Sequence, residues 1–162
     1  MDLKNSVTIV TGSATGVGAA CARRIAAKGG RVVINYTKSE AEAKETLAAC
    51  EKAGGEAILV RADVSSDADC LKLAKAATDK WGRIDNLINN AGYTKFVPQS
   101  ELDGLTPEDF QKIFSVNVTG IYLMTRACVP AMRKAARGSV VNISSVASLL
   151  GSGSSIAYAA SK

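Results

Sequence analysis

Residues 7–18 read VTIVTGSATGVG, and the two halves of this stretch differ in kind. Val7, Ile9 and Val10 form a short apolar run rich in β-branched side chains, the pattern of a buried strand, and Thr11-Gly12 ends it abruptly. Beyond the stretch, Ala19, Ala20, Ala22, Ile25, Ala26 and Ala27 are helix-compatible and recur on one face, so Gly12, Gly16 and Gly18 sit on a strand-to-helix turn. A backbone without Cβ atoms turns tightly and admits a ligand closely, and the unpaired N–H groups of a helix start attract phosphate. The turn suits a dinucleotide pyrophosphate, although its Gly-x-x-x-Gly-x-Gly spacing departs from the common G-x-G-x-x-G.

Working outward, strand and helix patterns alternate. RVVINY at 31–36 reads as a second strand, and residues 37–53 as a helix with Ser39 as N-cap and Glu42 completing a capping box. EAILVRA at 56–62 is a third strand, residues 67–81 a helix stopped by Gly82, and IDNLINN at 84–90 a fourth strand running into Ala91-Gly92. Such a β-α-β-α-β-α-β order predicts an α/β domain, a doubly wound parallel sheet with helices on both faces. Further on, residues 93–106 are loop-like, and Thr106-Pro107-Glu108-Asp109 is a capped helix start. Residues 110–137 read as one or two helices, with a bend at Gly120 and a kink at Pro130. Residues 138–144 form a fifth strand, and a serine- and glycine-rich loop leads to IAYAASK at 156–162.

Composition narrows the function classes. With 162 residues, 47% hydrophobic and 22% charged, the chain suits one soluble domain. The net charge of +5 is dispersed, with no basic run interleaved with aromatics, so nucleic acid is not an expected partner. Cys21, Cys50, Cys70 and Cys128 lie far apart with no CxxC, which favours reduced core thiols over a zinc site or disulfide framework. Histidine is absent, which removes Ser-His-Asp and Cys-His catalysis and any imidazole ligand, so no metal site is expected. No signal-peptide core or membrane-length apolar run is present, and a cytoplasmic, reducing location away from membranes is the expectation.

Four short motifs occur in order along the sequence: TGSATGVG at 11–18, NNAG at 89–92, Asn117 in SVNVTG, and Ser145 followed by Tyr158-x-x-x-Lys162. Together they resemble the short-chain dehydrogenase/reductase family over essentially the whole chain, which implies a Rossmann-like single domain over residues 1–162. The resemblance implies a catalytic set of Asn117, Ser145, Tyr158 and Lys162. Tyr158 and Lys162, four apart, share a helix face, so an ammonium can ease ionisation of the phenol and fit it for general acid or base work. Ser145, thirteen residues before Tyr158, would hydrogen-bond the substrate oxygen, with Ser144 as its competitor. Asn117 would anchor a proton-relaying water, and Lys162 would also bond the nicotinamide ribose.

For the cofactor, the resemblance implies contacts from Gly12, Ser13, Thr15, Gly16, Val17 and Gly18 at the first turn, and from Asn90, Ala91 and Gly92 after the fourth strand, with Tyr158 and Lys162 at the nicotinamide end. Asp63 would meet the adenine ring with Val64 beside it, or else cap the next helix. No carboxylate ends the second strand; Tyr36, Thr37 and Lys38 stand there, and Thr37, Lys38 and Ser39 can donate to a 2′-phosphate, so NADP(H) is expected over NAD(H). The expected activity is hydride transfer between the nicotinamide and a carbonyl or secondary alcohol, in the manner of a 3-oxoacyl-acyl-carrier-protein reductase, in a homo-oligomer acting on a small molecule. Family chains continue past the Tyr-Lys pair through further strands and helices that these 162 residues lack. Either the chain is a fragment of a longer reductase, in which case weak or absent turnover is expected, or these residues are only part of the whole chain. The alternative is a catalytically silent dinucleotide-binding or oligomerisation module; quenching of Trp81 fluorescence by cofactor without turnover would favour it.

Overall fold

Four consecutive buried residues make β1 (Val7–Val10) the centre of the molecule. A computed structural model of the chain describes residues 3–162. β1 pairs in parallel with β2 (Arg31–Tyr36) on one side and β4 (Asn86–Asn89) on the other. β3 (Glu56–Arg61) extends the sheet beyond β2 and β5 (Ser139–Asn142) beyond β4, giving the all-parallel order β3-β2-β1-β4-β5. The doubly wound architecture expected from the alternating pattern is therefore what forms.

Period-two alternation sorts the strand side chains between two cores. Val7, Ile9, Val33 and Leu87 face α3 (Asp67–Trp81) and α5 (Gly120–Lys134), meeting Cys70, Leu73, Ala77, Met124 and Cys128. Val10, Val32 and Ile34 face the opposite way, onto Ala22, Ile25 and Ala26 of α1 (Gly16–Ala26) and Ala43 and Cys50 of α2 (Glu40–Lys52). The four cysteines are free thiols and three are buried; burial pushes Cys70 up to about 11 and Cys128 to about 12, which keeps both protonated and inert. No helix among the described residues is long and apolar enough to cross a membrane.

Several boundaries differ from the sequence expectation. α2 begins at Glu40, and Ser39 makes no capping bond because its backbone (φ −84°, ψ 63°) is not in the extended conformation an N-cap needs. Glu40 instead pairs with Lys44 one turn on. The capping box forms at α4 (Pro107–Phe114), where Thr106 and Asp109 cap each other reciprocally. The bend expected at Gly120 is a π-helical turn, Ser115–Thr119, that joins α4 directly to α5. α5 runs through Pro130, which is exposed, so water can reach the carbonyl one turn back that the proline leaves without a donor.

Below the sheet, at the starts of the strands, the Asp85 carboxylate accepts from Val7 N–H (2.9 Å), Arg83 Nη2 (2.6 Å) and Arg137 Nε (2.9 Å). It joins the start of β1, the start of β4 and the turn before β5. Everything that points to a site lies at the other end of the sheet, where parallel α/β sheets bind ligands.

Candidate active site

At the carboxyl end of β1 the chain turns through Gly12, whose φ of +59° suits glycine, and a Cβ there would meet Ala91 Cα at 2.8 Å. Gly18 is held as tightly: a Cβ on it would lie 2.5 Å from Asn90 Nδ2 and 2.6 Å from the Gly12 carbonyl. Gly16 stands in open space and Val17 is 60% exposed at a cavity rim. α3, α4 and α7 (Ile156–Ser161, which follows the short α6, Ala147–Leu150) are each capped by a serine or threonine hydroxyl, whereas Thr15 makes no such bond at the start of α1 and no acid stands in that first turn. The α1 N–H groups are thus left for an anion.

Ser13 does not face that space. Its buried hydroxyl donates to the Val10 carbonyl (2.6 Å) and accepts from Asn35 N–H (3.0 Å), so it braces the turn, a correction to its expected cofactor contact. Asn35, which sequence reading passed over, accepts from Gly12 N–H (2.9 Å) through Oδ1 and donates to the Ala62 carbonyl (2.9 Å). A buried asparagine at the end of β2 was the available signal. On the far side, Asn90 Nδ2 donates to the Thr11 and Gly12 carbonyls (3.0 Å each), and Thr11 Oγ1 accepts from Asn90 and Ala91 N–H (3.0 Å each). The NNAG segment therefore clamps the glycine turn from β4.

Asn117 sits in the π-helical turn, fully buried. Its Oδ1 accepts from Tyr93 N–H (2.7 Å), and Nδ2 donates to the Tyr93 carbonyl (3.0 Å) and to Ser161 Oγ (2.8 Å). Both amide hydrogens are spent, so the side chain is a strut between the loop after β4 and α7; one Oδ1 lone pair remains for a water. A Cβ at Gly92 would lie 3.6 Å from Asn117 Oδ1 and 3.8 Å from Lys162 Nζ, which places both atoms around one glycine.

Tyr158 lies on α7, whose start is capped by Ser155 Oγ accepting from Tyr158 N–H (3.3 Å). Lys162 Nζ donates to the Ile143 carbonyl, and its burial lowers its affinity for the proton below that of a free lysine. Ser144 and Ser145 differ in what they have left to give. The Ser144 hydroxyl donates to the Lys162 carbonyl (2.8 Å), while Ser145 Oγ accepts from Ala147 N–H (3.2 Å) and keeps its hydrogen. Ser145, Tyr158 and Lys162 line one cavity of about 550 Å³, with Phe96 and Val17 on its apolar side.

A second cavity of about 610 Å³ shares Asn90, Gly92 and Tyr93 with the first and is also lined by Gly12 and Thr15, by Tyr36, Thr37 and Lys38, and by Ala62, Asp63 and Val64. Asp63 does not cap α3, since Ser66 does. Its carboxylate accepts from the Ser65 hydroxyl (2.6 Å) and N–H (2.9 Å), and the hydroxyl's bond is the main reason it holds its proton more weakly than an ordinary aspartate. Lys112 Nζ stands 3.8 Å from Asp63. Beside Thr37, Arg61 Nε donates to the Thr37 carbonyl (3.0 Å). Arg61 and Lys112 were missed in the sequence; the parallel register Tyr36↔Arg61 brings the first there, and only the fold brings the second.

Residues 6–162 match the model of the short chain dehydrogenase family. The chain belongs to that family. Among curated members, it is 43% identical over 155 residues to a protein of Streptomyces violaceoruber provisionally named granaticin polyketide synthase ketoacyl reductase 2, spanning 96% of this chain and 61% of that one. It is 39% identical over 160 residues to the 3-oxoacyl-acyl-carrier-protein reductase of Synechocystis, spanning 99% of this chain and 64% of the relative. The chain thus covers less than two thirds of either relative's length. A provisionally assigned short-chain dehydrogenase/reductase from Burkholderia xenovorans superposes with a TM-score of 0.94 at 43% identity, covering 98% of this chain and 66% of that structure. Xylitol dehydrogenase with NAD+ bound (TM-score 0.90, 29% identity, 100% of this chain and 61% of that one) shares the fold. So does a metagenomic short-chain oxidoreductase in complex with NADP (0.87, 35%, 100% and 72%). For a short chain dehydrogenase, two adjoining cavities, one lined by Tyr158 and Lys162 and the other by Gly12 and Thr15 of the glycine turn, suit a long two-headed cofactor.

Proposed function

We propose that this chain is the cofactor-binding and catalytic part of an NADP(H)-dependent reductase of carbonyl groups, working as a 3-oxoacyl-acyl-carrier-protein reductase does. One observation carries the reading: Ser145, Tyr158 and Lys162 line a cavity that shares Asn90, Gly92 and Tyr93 as its wall with the one lined by Gly12 and Thr15 of the glycine turn. Gly12, Thr15, Gly16, Val17 and Gly18 would take the pyrophosphate on the uncapped start of α1. Ala91 and Gly92 would border the nicotinamide ribose, and Asp63 and Val64 the adenine. Thr37 and Lys38 would hold a 2′-phosphate; the absence of an acid at the end of β2 and the nearby Arg61 and Lys112 support NADP(H) over NAD(H). The nicotinamide supplies or accepts the hydride.

The chain's own residues manage the proton and the developing charge. In reduction Tyr158 would give its phenolic proton to the carbonyl oxygen, and the Lys162 ammonium would steady the phenolate left behind. Ser145, the serine that keeps its hydrogen, would donate to the same oxygen. A water on the spare lone pair of Asn117 Oδ1, next to Lys162 Nζ around Gly92, would return the proton to Tyr158 through the lysine. In a homo-oligomer these roles would be unchanged, since each side chain belongs to the same chain.

The test is titration with NADPH, followed by the cofactor's own fluorescence. Trp81 is a poor reporter because its Nε1 donates to Glu56 at the start of β3, the end of the sheet away from both cavities. Saturable binding is expected, tighter for NADPH than NADH, with oxidation of NADPH on adding a 3-oxoacyl thioester that disappears in Tyr158→Phe. A folded chain that binds neither dinucleotide sinks the proposal.

A further inference from the structure

Two hydroxyls from separate loops meet on the wall of the cavity that holds Tyr158. Thr94 Oγ1, just beyond the NNAG segment, and Ser154 Oγ, just before α7, are 2.7 Å apart, and either can be the donor. Neither hydroxyl bonds any other group among the described residues. Ser154 is only 9% exposed and immediately precedes Ser155, the cap of the helix that carries Tyr158, so its place relative to the phenol is set by α7. Gly151 (φ +65°) and Gly153 (φ +93°) give its loop turns that other residues resist.

Hydrogen accounting says what such a pair offers. Two hydroxyls bonded to each other spend one hydrogen and keep the other, together with free lone pairs, and reversing the donor moves the spare hydrogen from one oxygen to its partner. The pair can therefore donate to a carbonyl oxygen or exchange bonds with a hydroxyl. A carboxylate or phosphate is a poorer match, since Lys162 is the only ion lining the cavity among the described residues and its ammonium is engaged with the Ile143 carbonyl and, in the proposed reaction, with Tyr158. Phe96 and Val17 line the same cavity and suit an uncharged carbon chain.

We infer that Thr94 and Ser154 form a hydrogen-bonding subsite for a second, uncharged oxygen of the substrate, so that the favoured class is neutral carbonyl compounds with another oxygen close to the reacting carbonyl, 3-oxo esters and thioesters among them. The inference rests on the cavity being the substrate site of the proposed reductase. It is tested by the dissociation constants of ethyl 3-oxobutanoate and 2-hexanone for the NADP+-loaded chain, in which a ketone cannot react, measured by ligand-observed NMR. The ester is expected to bind about tenfold more tightly than the plain ketone, the worth of one good hydrogen bond. In Thr94→Val/Ser154→Ala that preference should fall to about one, and Thr94→Ser should keep it. If the double variant loses its cooperative melting transition, Thr94→Val alone, on an exposed loop position, is expected to cut the preference about threefold. A preference near one in the parent chain, or one unchanged in the variants, overturns the inference. Failure of NADP+ to bind strikes instead at the proposed function; the subsite is then read from the same two ketones on the unloaded chain, with the same criteria.

Discussion

Asn117 and Ser161 are hydrogen-bonded at 2.8 Å between a π-helical turn and the helix that carries Tyr158, and the direction of that bond is settled by a third residue. Tyr93 presents an N–H to one end of the Asn117 amide and a carbonyl to the other, so the amide cannot be turned round. Ser161 in turn donates to the Tyr158 carbonyl (2.8 Å). Asn117→Ala is expected to leave both Tyr93 backbone groups and Ser161 short of a partner and to destabilise the chain by about 2–4 kcal/mol. Urea unfolding checks the magnitude, and hydrogen exchange at 156–161 checks the place, where protection should fall more than in β1.

Much of this was legible in the sequence because local signals and tertiary demands agree. The VTIV run, the helix at 67–81 and RVVINY at 31–36 read correctly since apolar periodicity is what buries them. Position of a motif is not orientation of a side chain, however. Ser13 lies inside the glycine turn by sequence, yet it points into the protein because Asn35 and the Val10 carbonyl claim its hydroxyl. Asn117 was legible as important, but its role as a strut depends on Tyr93 and Ser161, 24 and 44 residues away. The Thr94 to Ser154 pair, 60 residues apart, left no trace in local patterning.

Gly18 packs where no side chain fits, since Asn90 Nδ2 and the Gly12 carbonyl both lie inside 3 Å of where a Cβ would stand. Gly18→Ala is expected to push Asn90 off the Thr11 and Gly12 carbonyls and to open the turn. A loss of about 1–3 kcal/mol in stability follows from overpacking. NADPH affinity should drop by more than tenfold, read by fluorescence titration. Gly16→Ala makes the control for stability: no protein atom lies within 4 Å of its Cβ position, so its cost to folding is confined to the strain of a φ of +58°.

Cofactor preference should turn on the end of β2. Thr37 is exposed, its carbonyl is held by Arg61, and β2 ends without an acid to repel a 2′-phosphate. Thr37→Asp introduces a carboxylate that repels that phosphate and can accept from a ribose hydroxyl. The ratio of NADPH to NADH affinity is expected to move toward NADH by on the order of tenfold or more. Raising salt should shrink the shift, as screening of exposed charges requires.

Asp85 ties stability to acid. Burial pushes its carboxyl up, but the bonds from Arg83, Val7 N–H and Arg137 outweigh burial and hold it below the ordinary 3.8. A folded value below the unfolded one stabilises the chain above about pH 4 and is lost as pH falls through the folded value. Asp85→Asn is expected to cost about 2 kcal/mol at pH 7, since two arginines lose their anion while remaining partly in water. Between pH 4 and pH 2 the parent should lose stability faster than the variant, measured by urea unfolding at each pH.

Ser144 and Ser145 give a sharper test because they are neighbours with opposite hydrogen accounts. Ser144 has given its hydrogen to the Lys162 carbonyl, so Ser144→Ala removes a structural bond worth about 1 kcal/mol and should lower the melting temperature slightly. Ser145 keeps its hydrogen and accepts from Ala147 N–H, which aims the free O–H away from the backbone it leans on. If that O–H meets the substrate oxygen, Ser145→Ala should lower kcat for a 3-oxoacyl thioester by about 10²–10³, the cost of removing one donor from a developing alkoxide. NADPH affinity should stay within about twofold of the parent, because the cost falls on the transition state. The reverse outcome, with Ser144→Ala slow and Ser145→Ala unimpaired, would move the substrate oxygen one residue along the loop and break the link between hydrogen accounting and catalysis.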